Sequence, residues 1–240
     1  VTAATRFEMS PDLAADLATT SFALAQRFSA GATLWCIAPS CSPHAQHIAV
    51  EFVHPAIIGK RALPAVALAG PDLIGQVRVS ARAGDVVIAV GDATDHDLRA
   101  VMRRAPAWGV STIWIGNGER PEAGAADHVL WLDDPDPRLR ATGDYVLMYH
   151  LLWELSHVCF EHPGLLTPPA QECTEEVCIT CSDEGRLAEV ISAAADGTAS
   201  VRSAQGTESI ITALTGPVSS GDLVLVHAGM AISRLGEDGR

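Results

Sequence analysis

The chain has 240 residues, 48% of them hydrophobic, and a formal charge of −13 from 16 basic and 29 acidic side chains. A chain of this size and composition buries a substantial core, which excludes disorder as its main state, and it has room for one or two domains. The acidic balance argues against nucleic acid and against anionic membrane surfaces as partners, and no stretch of about 18 apolar residues is present to span a bilayer.

Residues 11–31 are predicted to form a helix: Ser10-Pro11 supplies a cap and an N1 proline, and Leu13, Leu17, Phe22, Leu24 and Phe28 are spaced for an amphipathic face. The run 32–38 reads as a short buried strand, followed by a helix around 44–53. Further apolar strands are expected at 62–70, 85–91, 111–117 and 128–134, with helices at 95–108 and 144–160. Strands of this length alternating with helices indicate a parallel sheet covered on both faces. His162-Pro163-Gly164 and Thr167-Pro168-Pro169 then stop the last helix. From about residue 177 the period changes to two, and short strands separated by Gly and Asp turns (185–192, 198–204, 207–214, 222–235) indicate a small all-β barrel. The expected class is therefore α/β, with a domain at 1–162, a linker at 163–176 and a barrel domain at 177–240.

The six cysteines are too few for a disulfide scaffold. The first residues, VTAATRFEMSPD, show no basic region followed by an apolar run, so a cytoplasmic location with reduced thiols is expected. Four cysteines crowd into one stretch: Cys159, Cys173, Cys178 and Cys181. Cys173, Cys178 and Cys181 could bind zinc, although a closed zinc site takes four ligands and there is no second CxxC. A redox pair is disfavoured, because this CxxC does not open a helix in a βαβ unit.

The segment CITCSDEGRLAEV together with Gly221-Asp222-Leu223-Val224-Leu225-Val226-His227-Ala228-Gly229-Met230-Ala231-Ile232-Ser233 resembles the HypC/HupF hydrogenase-formation chaperones over roughly 177–235. The resemblance implies an OB-like barrel that carries an Fe(CN)2CO unit towards the large-subunit precursor of a nickel–iron hydrogenase, in concert with other maturation proteins. It assigns the iron unit to a cysteine near the start of the module and to His227. Counting from the module's start favours Cys178, and counting back from Gly185 favours Cys181, so both stay open. The chemistry suits these types: a thiolate is a soft donor for low-spin iron, and an imidazole binds the metal or hydrogen-bonds a ligand. Without the resemblance, a satisfied core histidine of an apolar strand is the alternative reading of His227.

Residues 45–53, AQHIAVEFV, followed by 62–68, ALPAVAL, resemble the phosphoheptose isomerases of the sugar-isomerase (SIS) fold over about 10–160. That resemblance implies an SIS-type parallel sheet flanked by helices, a homo-oligomer, and a zinc-like site on His47, Glu51 and His150. Were the domain an isomerase, Glu51 and His150 would be its catalytic pair. His47 and Glu51 are i, i+4, so a helix points both the same way. Off the family pattern, such a pair reads as a surface pair without metal. The family's further glutamine ligand falls on Thr142.

The phosphate loops depart from the family. The glycine- and serine-rich turn after the first strand reads Ala38-Pro39-Ser40-Cys41, where Pro39 removes an amide donor. The second loop reads Gly91-Asp92-Ala93-Thr94-Asp95-His96. A carboxylate ~5 Å from a phosphate charge costs about 3 kcal/mol at an effective dielectric of 20. Ser40, Ser42 and Thr94 remain as candidate substrate-binding hydroxyls. The sequence reading therefore favours a maturation chaperone over a sugar-phosphate isomerase, with a module that binds an anionic metabolite as a third alternative.

Overall fold

The computed structural model describes residues 9–132, 143–166 and 185–236. The described residues group into two units, one lying within 1–103 and 111–167, the other within 104–110 and 168–240. The segment 104–110, assigned above to the first domain, thus belongs with the second.

The first unit is a five-stranded parallel sheet in the order β2-β1-β3-β4-β5. Its strands are β1 (Leu34–Ile37), β2 (Ala65–Leu68), β3 (Val86–Val90), β4 (Ser111–Asn117) and β5 (His128–Leu132). Its helices are α1 (Pro11–Ser29), α2 (Ser42–Val53), α3 (Leu73–Ser80), α4 (His96–Arg104) and α5 (Gly143–Glu161). The Ser10 hydroxyl caps α1 by accepting from Leu13 N at 3.1 Å. Alternate strand residues build one cluster with three helices: Leu34, Cys36, Val86, Ile88, Ile113, Ile115, Leu130 and Leu132 meet Leu17 and Leu24 of α1, Ile48 and Phe52 of α2, and Met148 and Leu152 of α5. Every residue of β3 is buried, as a central parallel strand requires.

Asp85 locks the base of the sheet. Its carboxylate accepts from Thr33 N (2.8 Å), the Trp35 indole (3.0 Å) and Arg82 N (2.9 Å). Close packing explains two glycines at the opposite strand ends. A Cβ on Gly116 would lie 2.3 Å from the Trp131 ring and 2.5 Å from Gly91 O, and one on Gly91 would lie 2.6 Å from Leu98.

Two elements differ from the sequence reading. The helix expected over 95–108 ends at Arg104, and Ala105–Trp108 continues as a 3-10 turn with Pro106 in its first turn. Helix α3 was not anticipated: it is short, contains Gly75, and its N-cap, Asp72, is left-handed at φ 59° while accepting from Gly75 N.

The second unit contains a closed five-stranded barrel in the order β10-β8-β7-β6-β9. The strands are β6 (Arg186–Ala193), β7 (Thr198–Ser203), β8 (Gly206–Ile211), β9 (Leu223–His227) and β10 (Met230–Leu235). β6, β7 and β8 form an antiparallel meander, β9 and β10 a hairpin, and β10 joins β8 in parallel. β6 pairs with β9 to close the barrel, which is the connectivity of an OB fold. The run 222–235 therefore breaks into two strands at Ala228-Gly229. The core is Ala188, Val190, Ala199, Val201, Ile210, Val218, Val224, Val226 and Ala231. Bulges at Val190/Ser192 and Ala231/Ser233 turn Ile191 and Ile232 outward. Glu189 is buried within this unit, where its carboxylate accepts from the Trp108 indole at 2.8 Å and lies 3.9 Å from Arg104 Nε.

Candidate metal-binding site

Helix α2 starts immediately after the β1 turn, with Pro43 in its first turn. Its helical period sends Ile48 and Phe52 into the core and leaves His47 and Glu51, one turn apart, on a neighbouring stripe. Helix α5 packs alongside and brings His150 to the same place. One nitrogen of each histidine and one Glu51 oxygen lie within 4.8 Å of one another, and no other such group of His, Cys, Asp or Glu occurs among the described residues. His47 Nε2 is 3.2 Å from His150 Nε2, and His150 Nε2 is 3.9 Å from Glu51 Oε2. The side chains of His150 and Glu51 are 42% and 18% exposed, so the group can be reached from solvent.

The electrostatics favour a neutral imidazole at His47. Burial lowers its pKa, the neighbouring His150 lowers it further, Glu51 opposes the shift, and His44 adds to the lowering. A metal ligand must offer a free lone pair, which the neutral ring does. The donor set of two imidazoles and one carboxylate matches open zinc sites, and the 3.2 Å between the two nitrogens is close to the edge of about 3.3–3.4 Å that bonds of about 2.0–2.1 Å subtend in a tetrahedral shell. The residues thus fit such an ion.

Sequence reasoning missed one member of this cluster. Tyr149 is 1% exposed, and its hydroxyl lies 2.8 Å from His47 Nδ1. Burial, with Cys41 and Glu51 contributing, pushes its pKa up to about 12. Its ring meets His44, His47 and His150 edge-on, with centroids at 6.0, 5.2 and 5.5 Å. In the sequence it reads as one more apolar position of a core helix.

Two of the three hydroxyls expected to bind substrate, those of Ser40 and Thr94, are engaged by carboxylates. Ser40 Oγ donates to Asp95 at 3.1 Å, bridging the loops after β1 and β3. The same Asp95 caps α4, accepting from Asp97 N and Leu98 N. Thr94 Oγ1 donates to Asp92. Gly91 fixes the second loop through its N–H to Ile115 O and its carbonyl to the Trp114 indole. Ser42 lines a separate cavity of about 350 Å3 with Ala38, Pro39, Leu68, Ala69, Gly70 and Leu73. In these loops Asp95 and Asp92 thus take up the hydroxyls of Ser40 and Thr94.

In the barrel, His227 closes β9 and pairs with Met230 across the turn. It is partly exposed. Arg186 and Glu208 form a two-pronged ion pair between β6 and β8, with Nε to Oε1 at 2.9 Å. Cys173, Cys178 and Cys181, like Thr142 and most of the proposed linker, lie outside the described residues. No described helix is long and apolar enough to cross a membrane.

Comparison with known proteins agrees with both halves of this description. Residues 186–239 match the HupF/HypC family. The first unit resembles a phosphoheptose isomerase from Francisella tularensis, with a TM-score of 0.50 and 16% identity over 62% of this chain and 86% of that one. A phosphoheptose isomerase from Neisseria gonorrhoeae aligns at a TM-score of 0.49 and 17% identity, over 59% and 85% of the two chains. The sugar isomerase domain of an RpiR transcription factor from Sphaerobacter thermophilus aligns at 0.44 and 16%, over 65% and 89%. At these identities the likeness is one of fold. No curated protein matches the chain.

Proposed function

We propose that this chain, an SIS-type sheet domain joined to a HupF/HypC domain, is an accessory chaperone of nickel–iron hydrogenase maturation. The observation that carries the reading is the HupF/HypC match over 186–239, which includes His227. Its cargo is an Fe(CN)2CO unit, held by Cys178 or Cys181 with support from His227, or else the barrel docks on the large-subunit precursor that receives the unit. Other maturation proteins are its partners, it works in the reducing cytoplasm, and it self-associates through its SIS-type domain.

A second reading applies to the first unit. The convergence of His47, Glu51 and His150 supports a bound divalent metal such as zinc. When bound, such an ion supplies Lewis acidity to a carbonyl or hydroxyl oxygen. Were the domain an isomerase of the sedoheptulose 7-phosphate type, Glu51 would be placed to move a proton and His150 to hold one. The Ser40–Asp95 and Thr94–Asp92 bonds weigh against that chemistry, and equally against an anionic metabolite, because a phosphate or carboxylate would have to displace or neutralise both carboxylates.

Infrared spectroscopy of the full chain, co-produced with hydrogenase maturation proteins, tests the first reading. Cyanide and carbon monoxide stretches should accompany bound iron, and the Cys178→Ala/Cys181→Ala double variant should lose both. Iron retained in that variant, or no such bands in the parent protein, would overturn the assignment of the cargo.

A further inference from the structure

We propose that Tyr149 is a positioning residue for His47: its hydroxyl accepts the Nδ1 proton, so that the Nε2 lone pair faces the space shared with Glu51 and His150. The inference rests on the metal reading of this cluster.

A neutral imidazole carries one N–H, and its position depends on what the other nitrogen meets. His47 Nδ1 has the Tyr149 hydroxyl at 2.8 Å, and its Nε2 has His150 Nε2 at 3.2 Å. Two arrangements satisfy these contacts. In one, Tyr149 donates into Nδ1, His47 carries its proton on Nε2, and that N–H points at His150. In the other, His47 donates from Nδ1 to the phenol oxygen, and its Nε2 is a bare lone pair. Only the second lets both Nε2 atoms face a cation. A phenol can take either part by rotating its O–H; accepting from His47 turns that O–H away from the ring nitrogen.

The placement of Tyr149 suits a fixed support. It immediately precedes His150 on α5, so the helix sets one side chain into the cluster and the other against the far side of the His47 ring. At 1% exposure its hydroxyl is out of reach of bulk water, and three histidine rings hold its ring edge-on. A histidine ligand whose second nitrogen donates to a fixed acceptor gains both orientation and basicity, and loss of that acceptor costs about 10–100-fold in metal affinity.

The test is cobalt(II) binding to the 240-residue chain, read by the visible ligand-field bands and by competition with a chelating dye. It is coupled to nitrogen-15 spectra of the histidine rings with zinc bound. The unsubstituted protein should bind cobalt with His47 in the Nδ1–H form. Tyr149→Phe keeps the ring and removes only the oxygen; it should bind about 10–100-fold more weakly and shift the His47 ring nitrogens. Tyr145→Phe, whose hydroxyl goes to Asn117 instead, should bind like the parent. Affinity within twofold of the parent in Tyr149→Phe overturns the proposal. So does a zinc-loaded parent whose His47 carries its proton on Nε2, an observation that needs no variant to fold. A parent that binds no cobalt overturns this proposal together with the metal reading, and leaves the iron assignment of the barrel to its own infrared test.

Discussion

Ala228 adopts φ +48° and Gly229 φ +76°, so the two-residue turn between β9 and β10 has both central residues left-handed. That is the geometry of a type I′ hairpin turn, which favours Asn-Gly because an ordinary Cβ is crowded there. Ala228→Asn should stabilise the barrel by about 0.5–1 kcal/mol, seen as a higher denaturant midpoint for the transition that exposes barrel residues. A lower midpoint would mean that the alanine methyl is needed where it is. At this scale the sequence told part of the story. The i, i+4 spacing of His47 and Glu51 was visible in the letters alone, whereas His150 was found only through the family resemblance. Tyr149 was not found at all, since an aromatic residue inside YVLMYHLLW carries no mark of a hydrogen bond to another helix. The thiols that matter most to the iron reading, Cys178 and Cys181, lie outside the described residues.

Among the elements, the loops after β1 and β3 decide what the sheet can accept. They lie at the carboxyl ends of the two strands from which the chain winds in opposite directions, where ligands of open α/β sheets bind. Here Ser40, Thr94, Asp92 and Asp95 satisfy one another instead. Calorimetric titration with sedoheptulose 7-phosphate, zinc supplied, should show no saturable heat at millimolar ligand; micromolar binding would restore the isomerase reading to first place. The residues replacing the anion site could be read from the sequence, but their mutual bonds could not, because Ser40 and Asp95 are 55 positions apart.

A second inter-element tie joins the segment before β2 to the end of α5. Lys60 Nζ meets Glu161 at 2.5 Å, and Arg61 O accepts from the buried His157 ring at 2.9 Å. The hydrogen bond and charge of Lys60 hold the Glu161 carboxyl below the usual range. Since the folded pKa is the lower one, this tie contributes fully above the unfolded value of about 4.3 and is lost as pH falls through the folded value. Lys60→Met should move the carbon-13 titration midpoint of Glu161 upward; an unchanged midpoint would show that the contact is not kept in solution.

For the molecule as a whole, the change of hydrophobic period near residue 177 was the clearest signal in the sequence, and it separated sheet from barrel. A short 3-10 turn was beyond it: nothing in APAWG announces membership of a unit whose strands begin 80 residues later. Yet Arg104–Val110 belongs to the barrel's unit, where the Trp108 indole serves the buried Glu189. The second unit is therefore discontinuous in the gene. A fragment encoding only 168–240 should yield a barrel whose Glu189 has lost its indole donor and its neighbouring guanidinium, at a cost of about 1–3 kcal/mol. A synthetic peptide spanning 104–110, added in trans, should raise its melting temperature, and the same peptide with Phe in place of Trp108 should raise it less. If neither peptide has any effect, the fragment folds without them. If a free-standing barrel was once appended to a free-standing sheet domain, the seven-residue piece was recruited afterwards, and relatives lacking the fusion should have no need of an acidic residue at the position of Glu189.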